Sequence, residues 1–541
     1  MLKKNYIQIF FFIVITIIVF AHNNSVSLWD QDEAAYAGFA KNMIESENWL
    51  IPGFTWSDIH RKPPMHFWNI AISYHLFGIN EFSVRFPSSL FIILTYLIIF
   101  FWGGKLFGKE VSFLGVIVLS TSFLVPSLAK ISVTDATLLF YSTVCSLAVL
   151  QIIQRKNIGA TIIFWVAFSL ALLTKGPPII IFSSVFVAIL FLFHPKRKNL
   201  LSLMPWFFLP LSFAPLFVWG YLTTLTDGGD LINWMIDWYI LKRVSGSVLG
   251  QTGPPGTHLL LLVLFFIPYL MFLPKAFWSG VRGIVKDKNE NLLLGTWFIA
   301  GWLIYEFSPS KLPAYTIVAH VPLAILIGKT ILNYIKTDTR PNKFLVIVHS
   351  SFFSILLLGL PVASYLMKFP ESIIWTFAIV NGIILAGMAA TFLFLKSKQF
   401  IHSLLGINLL FQFVLWVILL PQIDGLKDGT KKVSSYITNN AIKESTIVIG
   451  NNNGSPPSLP FYISLNFEKL EEEQNFDLLL SKYRSRQPYV FILNHQQKEK
   501  FTSTYPQINY KEINSFFVDR KGKPFYYIVM NDVSKKQNVI E

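Results

Sequence analysis

The chain has 541 residues, 53% of them hydrophobic, with 51 Phe, 15 Trp and only 14% charged residues, and its mean hydropathy is +0.52. A soluble globular protein carries about 25% charge, so this composition excludes a soluble enzyme, a disordered chain and a secreted disulfide scaffold. The net charge of +15 does not indicate nucleic acid in such a chain; it raises the question of which side of a membrane the cations occupy.

Apolar stretches long enough to cross about 30 Å of hydrocarbon recur along the chain, about thirteen in all. They run 6–21, 87–101, 111–129, 136–152, 158–173, 177–193, 203–222, 257–273, 292–307, 314–332, 344–367, 373–394 and 403–420. The first, preceded by Lys3 and Lys4, looks like a signal peptide in its flanks, but its removal would not change the topology of the rest. The single cysteine, Cys145, lies inside an apolar stretch. It reads as a small buried residue, and neither a disulfide framework nor a cysteine metal site can form.

With the N-terminus cytoplasmic, the inside loops carry the clusters Lys105 and Lys109, Arg155 and Lys156, Lys196 to Lys198, Lys275, Arg282, Lys286 and Lys288, Lys336, Arg340 and Lys343, and Lys396 and Lys398. The short outside connections carry mostly single cations, Lys130, Lys175, Lys311 and Lys368. That bias fixes the orientation and places the tail beyond Pro421 outside. Two outside segments are long. Residues 22–86 contain an amphipathic stretch, 33–45, and an apolar helix candidate, 65–77, both suited to the membrane interface. Residues 223–256 contain an aromatic helix, 231–241, followed by a Gly/Pro-rich loop from Gly246 to Gly256. The inside loops are short, so the chemistry belongs outside.

The fold expected is an all-α polytopic membrane domain over 1–422, with interfacial helices in its first outer loop. A small α/β domain over 423–541 follows, with strands at 446–449, 489–493 and 525–530 and a loop from Gly450 to Gly454.

Charged groups at the rim of a membrane bundle are costly and mark functional sites. Asp30, Asp32 and Glu33 sit just beyond the first span. They also fit a solvated helix start capped by Asp32. The Asp30-Gln31-Asp32 pattern of nucleotide-sugar sites is discounted, since no nucleotide-binding domain accompanies it. His60, Arg61 and Lys62 precede Pro63 and Pro64 at the start of the 65–77 helix, whose positive end attracts phosphate. A headgroup anchor would use the same cations. Ser132 to Asp135, Thr174 to Pro178, and Ser308 to Tyr315 place Asp135, Lys175 and Lys311 at short outer turns, and Lys242 and Arg243 follow the aromatic helix. Any one cation could simply snorkel; together with the carboxylates they form a site. Cations at headgroup depth suit a lipid phosphate, and neighbouring carboxylates suit a general base or a metal ligand. A group transferred outside must then arrive attached to a lipid, and a sugar on a lipid phosphate fits, the cations stabilising the departing phosphate.

At these residues the chain resembles the C-type membrane glycosyltransferases, in particular the bacterial aminoarabinose transferases and the related protein O-mannosyltransferases. The matching positions are Asp32-Glu33 with Tyr36, Lys62-Pro63-Pro64, Asp135, Thr174 to Pro177, and Ser310 to Tyr315. The resemblance implies inverting transfer from a polyprenyl (undecaprenyl) phosphate sugar to an envelope acceptor, lipid A or another glycolipid, at the periplasmic face of the bacterial inner membrane. It makes Asp32, with Glu33 beside it, the catalytic carboxylate that activates the acceptor, and Asp135 the second acid. Lys62, Lys175, Arg243 and Lys311 then hold the donor phosphate and Tyr315 lines the pocket. The aminoarabinose transferases carry an acid before their Lys-Pro-Pro, associated with a metal, where this chain has Arg61, a further bidentate phosphate donor. Cofactor use is therefore open, with a divalent metal as the candidate and His60, His258 or Glu306 as its substitute ligands. Other readings are a protein acceptor, a lipid-linked sugar flippase and a non-catalytic envelope scaffold. The spans read as apolar through their centres apart from Ser and Thr, and no halves match, which disfavours a transporter.

Overall fold

A computed structural model describes residues 2–29, 32–53, 61–242, 252–286, 290–394, 397–427, 429–441, 444–450, 458–463, 465–470, 475–485, 487–514 and 525–531. Among them, eight helices are long and apolar enough to cross a membrane: Glu81–Phe107, Thr134–Gln154, Ile158–Lys175, Pro205–Asp227, Pro313–Thr337, Lys343–Leu366, Glu371–Leu393 and Lys398–Asp424. Asn5–Phe20 and Pro177–Phe193 are shorter apolar helices. The other expected spans fall on shorter or broken pieces: Lys109–Ser120 followed by Leu124–Leu128, Thr257–Phe265 followed by a 3-10 turn, and Glu290–Glu306. The chain is a multi-pass α-helical membrane protein. Its Ile- and Val-rich stretches become helices because hydrocarbon offers no other partner for backbone polar groups.

The Thr134–Gln154 and Ile317–Thr337 helices lie at the centre, almost wholly buried. Close approach there depends on small residues, as expected where lipid tails compete with side chains for apolar contact. A Cβ on Gly295 would sit 2.0 Å from the Gly280 carbonyl oxygen, and one on Gly328 2.6 Å from the Gly115 nitrogen. Gly280 belongs to a helix, Leu273–Lys286, in a segment that reads from sequence as an inside loop. Cys145 is buried, its Sγ against the Phe164 carbonyl oxygen.

The span centres are more polar than expected. The helix containing Thr257–Phe265 breaks at Phe266, and the Lys109–Ser120 helix breaks at Thr121. The Asn408 amide donates to the Pro268 carbonyl at 2.9 Å, and the Gln412 amide to those of Thr121 and Ser122, both at 3.1 Å. His349 Nδ1 lies 3.1 Å from the Ile267 carbonyl oxygen. Each break frees carbonyls that must find donors in a dry interior, and these side chains supply them. Single polar residues in long apolar windows carry no such signal.

We call Leu2–Phe20 α1, Asp32–Glu45 α2, Met65–Phe77 α3 and Glu81–Ile98 α4. α2 and α3 match the interfacial helices expected from sequence, and they share a core of Ala34, Tyr36, Phe39, Phe67, Ile70 and Tyr74. The aromatic stretch forms Asp230–Ile236 and a π-helical continuation, Asp237–Leu241.

The last membrane helix runs on to Lys427, and helix Gly429–Asn440 opens the outer domain. Its five strands are β1 (Thr446–Gly450), β2 (Phe467–Leu470), β3 (Tyr489–Leu493), β4 (Tyr510–Asn514) and β5 (Phe525–Met530), in the order β2-β1-β3-β5-β4. β1 is parallel to β2 and β3, whereas β5 is antiparallel to β3 and β4. Three of these were expected; β2 and β4 are short and polar, and pairing rather than pattern makes them strands. Alternate residues of β1 and β3 feed separate apolar clusters, one on each sheet face, as period-two geometry dictates. The loop expected from Gly450 to Gly454 lies, beyond Gly450, outside the described residues.

Candidate active site

Five segments meet at one mouth of the bundle: α2, the start of α3, the 132–135 and 175–177 turns, and the 306–315 turn. Asp135 sits in the first turn of one buried helix, where the helix dipole favours an anion. Lys175 sits in the last turn of its antiparallel neighbour, where the dipole favours a cation. Gly176, at φ +72°, reverses the chain directly into the next helix, a backbone conformation that side chains other than glycine's disfavour. The result is a Lys175 Nζ to Asp135 Oδ1 contact of 2.6 Å, part-buried at 17% and 13% exposure. Lys175 Nζ also lies 5.9 Å from the Tyr315 ring centre.

The second cluster is organised by Tyr36. Its hydroxyl lies 3.4 Å from Asp32 Oδ1 and accepts a hydrogen bond from the Lys62 ammonium, which also stands 4.5 Å from the ring centre. Asp32 is exposed. Arg61 faces the aromatic helix, its guanidinium carbon 6.0 Å from the Trp234 ring. His66 joins the two clusters. Its ring meets Tyr36 edge-on at 5.3 Å, and its Nε2 lies 3.2 Å from the Ser132 hydroxyl, three residues before Asp135. Burial, reinforced by Lys62, lowers the His66 pKa to about 3, so it works as a neutral hydrogen-bonding group.

Glu33 departs from expectation. It is 1% exposed and both its oxygens are engaged. Arg85 Nε donates to Oε1 at 2.8 Å and Nη2 to Oε2 at 2.9 Å. The Ser132 N–H donates to Oε1 and the Trp29 N–H to Oε2, at 2.9 and 2.8 Å. Expected beside Asp32 as a catalytic carboxylate, Glu33 is placed as a framework anion. Consecutive residues of a helix point about 100° apart, so one carboxylate can face out and its neighbour in. Arg85 was missed by sequence reading. Its one signal was a lone cation entering an apolar run, a charge that must find a buried partner.

Lys311 and Glu306 are also committed inside. Lys311, expected on the donor phosphate, donates to the Glu306 carbonyl at 2.6 Å and the Tyr305 carbonyl at 3.1 Å, with its side chain 3% exposed. The Glu306 carboxylate accepts the Gly256 and Leu259 N–H groups and Trp302 Nε1, at 2.8, 2.6 and 2.8 Å, so it caps the helix Thr257–Phe265. His258 is buried, with Nε2 3.2 Å from the Leu312 carbonyl oxygen and Nδ1 4.0 Å from Glu306. The Lys311 ammonium, 3.9 Å from the Glu306 carboxylate, occupies the place a cation would need. Glu306 and His258 as placed therefore do not fit a metal. Among the described residues no group of three His, Cys, Asp or Glu forms a ligand set. His60 and Arg243, as well as Asp30, lie outside the described residues.

The site's residues fall largely within a known pattern. Residues 61–221 match the family model of dolichyl-phosphate-mannose-protein mannosyltransferases. An undecaprenyl phosphate-alpha-4-amino-4-deoxy-L-arabinose arabinosyl transferase of Edwardsiella ictaluri is 26% identical over 334 residues, 58% of this chain and 57% of that protein. Over these residues the chain is similar to the aminoarabinose transferases and to the protein mannosyltransferases. A second such transferase, from Shewanella sediminis, is 24% identical over 349 residues, covering 63% of each chain. These matches span less than two thirds of the relatives' length. The fold, however, is shared end to end: the crystal structure of ArnT from Cupriavidus metallidurans bound to undecaprenyl phosphate aligns with a TM-score of 0.77 over 97% of both chains, at 18% identity. Within this fold the Asp135–Lys175 and Tyr36–Lys62 contacts lie at one mouth of the bundle.

Proposed function

We propose that this chain transfers a sugar from a polyprenyl-phosphate donor of the undecaprenyl type to a glycolipid of the cell envelope, lipid A in kind, with inversion at the anomeric carbon. The reaction takes place at the periplasmic face of the inner membrane, an orientation supported by the cation bias of the inside loops. The observation that carries this reading is the pairing of carboxylates with cations at one outer mouth: Asp135 with Lys175 at 2.6 Å, and Asp32 with Lys62 through Tyr36.

In this mechanism Lys62, Lys175 and Arg61 bind the donor phosphate, and Arg243 is assigned to the same task from its sequence position. The acceptor oxygen attacks the anomeric carbon from the face opposite the phosphate. The bond between that carbon and the phosphate oxygen breaks, and the cations stabilise the charge gathering on the leaving phosphate. Asp32 takes the proton of a hydroxyl acceptor; a phosphate acceptor, already anionic, needs little such help. Asp135 holds Lys175 in place, and Tyr315 lines the sugar pocket. Lys311 and Glu306 shape the turn that presents Tyr315, and Glu33 anchors the helix that presents Asp32.

The test uses purified protein in detergent with a panel of labelled polyprenyl-phosphate sugars and total envelope lipid. Wild type is expected to release polyprenyl phosphate, Lys62→Ala to lose that release, and Asp32→Asn to lose it with hydroxyl acceptors. No release with any donor, together with lipid-sugar translocation in proteoliposomes, would overturn the reading in favour of a flippase.

A further inference from the structure

The backbone between α1 and α2 is held from two sides. From the membrane domain, Arg85 donates to the carbonyls of Asn23, Val26 and Ser27 at 3.2, 2.7 and 2.9 Å, besides its fork on Glu33. The other side belongs to the end of the last membrane helix and to the domain that follows it. The Ser27 N–H and hydroxyl both donate to the Asp424 carboxylate, at 2.9 and 2.6 Å. The Leu28 N–H donates to the Tyr462 hydroxyl oxygen at 2.8 Å. Lys431 donates to the Ser25 carbonyl at 2.9 Å and pairs with Glu81 at the start of α4 at 2.5 Å. Phe461, beside Tyr462, is buried in the apolar core that α2 and α3 share. Lys41, far along α2, donates to the Pro460 carbonyl at 3.2 Å.

The end of the last membrane helix and the outer domain thus each supply an acceptor, Asp424 and Tyr462, for N–H groups shortly before Asp32, and the outer domain adds a wedge into the core beneath it. Buried backbone groups left unmatched cost free energy, so this segment holds its shape only while both grips are made. A domain that merely selected acceptors would not need to be bonded to the backbone leading into the reactive carboxylate.

We infer that Tyr462 is a positioning residue for Asp32, acting through the 25–29 segment, and that the outer domain is a fixed part of the catalytic unit. This rests on the transfer reading above. A small misplacement of a reacting group costs a large factor in rate, so the effect belongs in turnover and not in donor affinity.

The experiment compares wild type, Tyr462→Phe and Asp424→Asn as full-length proteins in detergent, with two acceptors of different headgroup chemistry. Tyr462→Phe is expected to lower kcat by about tenfold to a hundredfold with a hydroxyl acceptor and much less with a phosphate acceptor, in parallel with Asp32→Asn and with donor KM unchanged. Placed on Asp32→Asn, it should cause no further loss of the transfer that remains with a phosphate acceptor. Amide exchange at Ser27 and Leu28 should accelerate while β3 amides keep their protection. Asp424→Asn, which keeps the volume, should move each readout the same way and less far, and it stands in if Tyr462→Phe fails to fold. A loss confined to the KM of one acceptor, full turnover despite faster exchange, or an additive loss on Asp32→Asn would each overturn the proposal. A wild type that transfers no sugar sinks the transfer reading itself and the positioning role with it; faster exchange at Leu28 in the variant would then leave only the grip.

Discussion

Arg85 and Glu33 meet fork to fork inside the protein, at 2.8 and 2.9 Å, each 1% exposed. The pair joins the start of α4 to the start of α2, so the helix that presents Asp32 is tied to the membrane bundle by a bond no water can compete for. Removing one partner leaves the other as a buried, uncompensated charge, at a cost of about 3–5 kcal/mol. Glu33→Gln and Arg85→Met should therefore each lower the melting temperature in detergent markedly. A stable, inactive Glu33→Gln would instead return Glu33 to the reaction.

Asp32 is exposed and its loss should leave stability unchanged. Asp32→Asn is expected to abolish transfer to hydroxyl acceptors and to spare much of the transfer to phosphate acceptors, because only the former must lose a proton. Equal loss with both acceptor classes, measured side by side, would refute the general-base role.

Lys175 should act on donor binding. A hydrogen bond to a charged group contributes about 1.5–3 kcal/mol, so Lys175→Met is expected to raise donor KM roughly tenfold to a hundredfold, with Lys175→Arg recovering part of it. Asp135→Asn should give a weaker effect of the same sign. An unchanged KM with reduced kcat would move Lys175 from holding the ground state to serving the transition state alone.

His66 makes the fold acid-labile. Its pKa falls from 6.5 in the unfolded chain to about 3 in the native one, by burial and then by Lys62. Between those values the unfolded chain binds more protons, so stability is complete above about pH 6.5 and declines as the pH falls towards 3, by about 1.4 kcal/mol per unit once well below 6.5. The melting temperature of wild type should drop more steeply from pH 6 to pH 4 than that of His66→Gln. Parallel slopes would mean that His66 does not stay neutral in the native protein.

Gly295 should tolerate no side chain. Its Cβ would fall 2.0 Å from the Gly280 carbonyl oxygen, and forcing two packed helices apart costs about 1–3 kcal/mol or more. Gly295→Ala is expected to reduce folded yield, whereas Gly382→Ala, with nothing within 4 Å, should behave as wild type. Thermal unfolding of the two proteins separates them directly.

The amino-acid sequence alone determines that this chain spans a membrane many times, and it shows cations and carboxylates gathering in the connections at one end of the spans. Those features follow from hydrocarbon thickness and from the cost of moving charge, which act on local composition. It also places α2 and α3 and three of the five strands, whose periodicity is local. Tertiary structure alone decided which charges face the mouth and which are spent inside. Glu33 and Lys311 carry the same charges as Asp32 and Lys62, yet buried partners distant in sequence, or carbonyls one turn away, claim them. Arg85, His66 and Tyr462 contribute only by where the fold brings them. Each is a single polar residue whose meaning is its partner, and composition does not name partners.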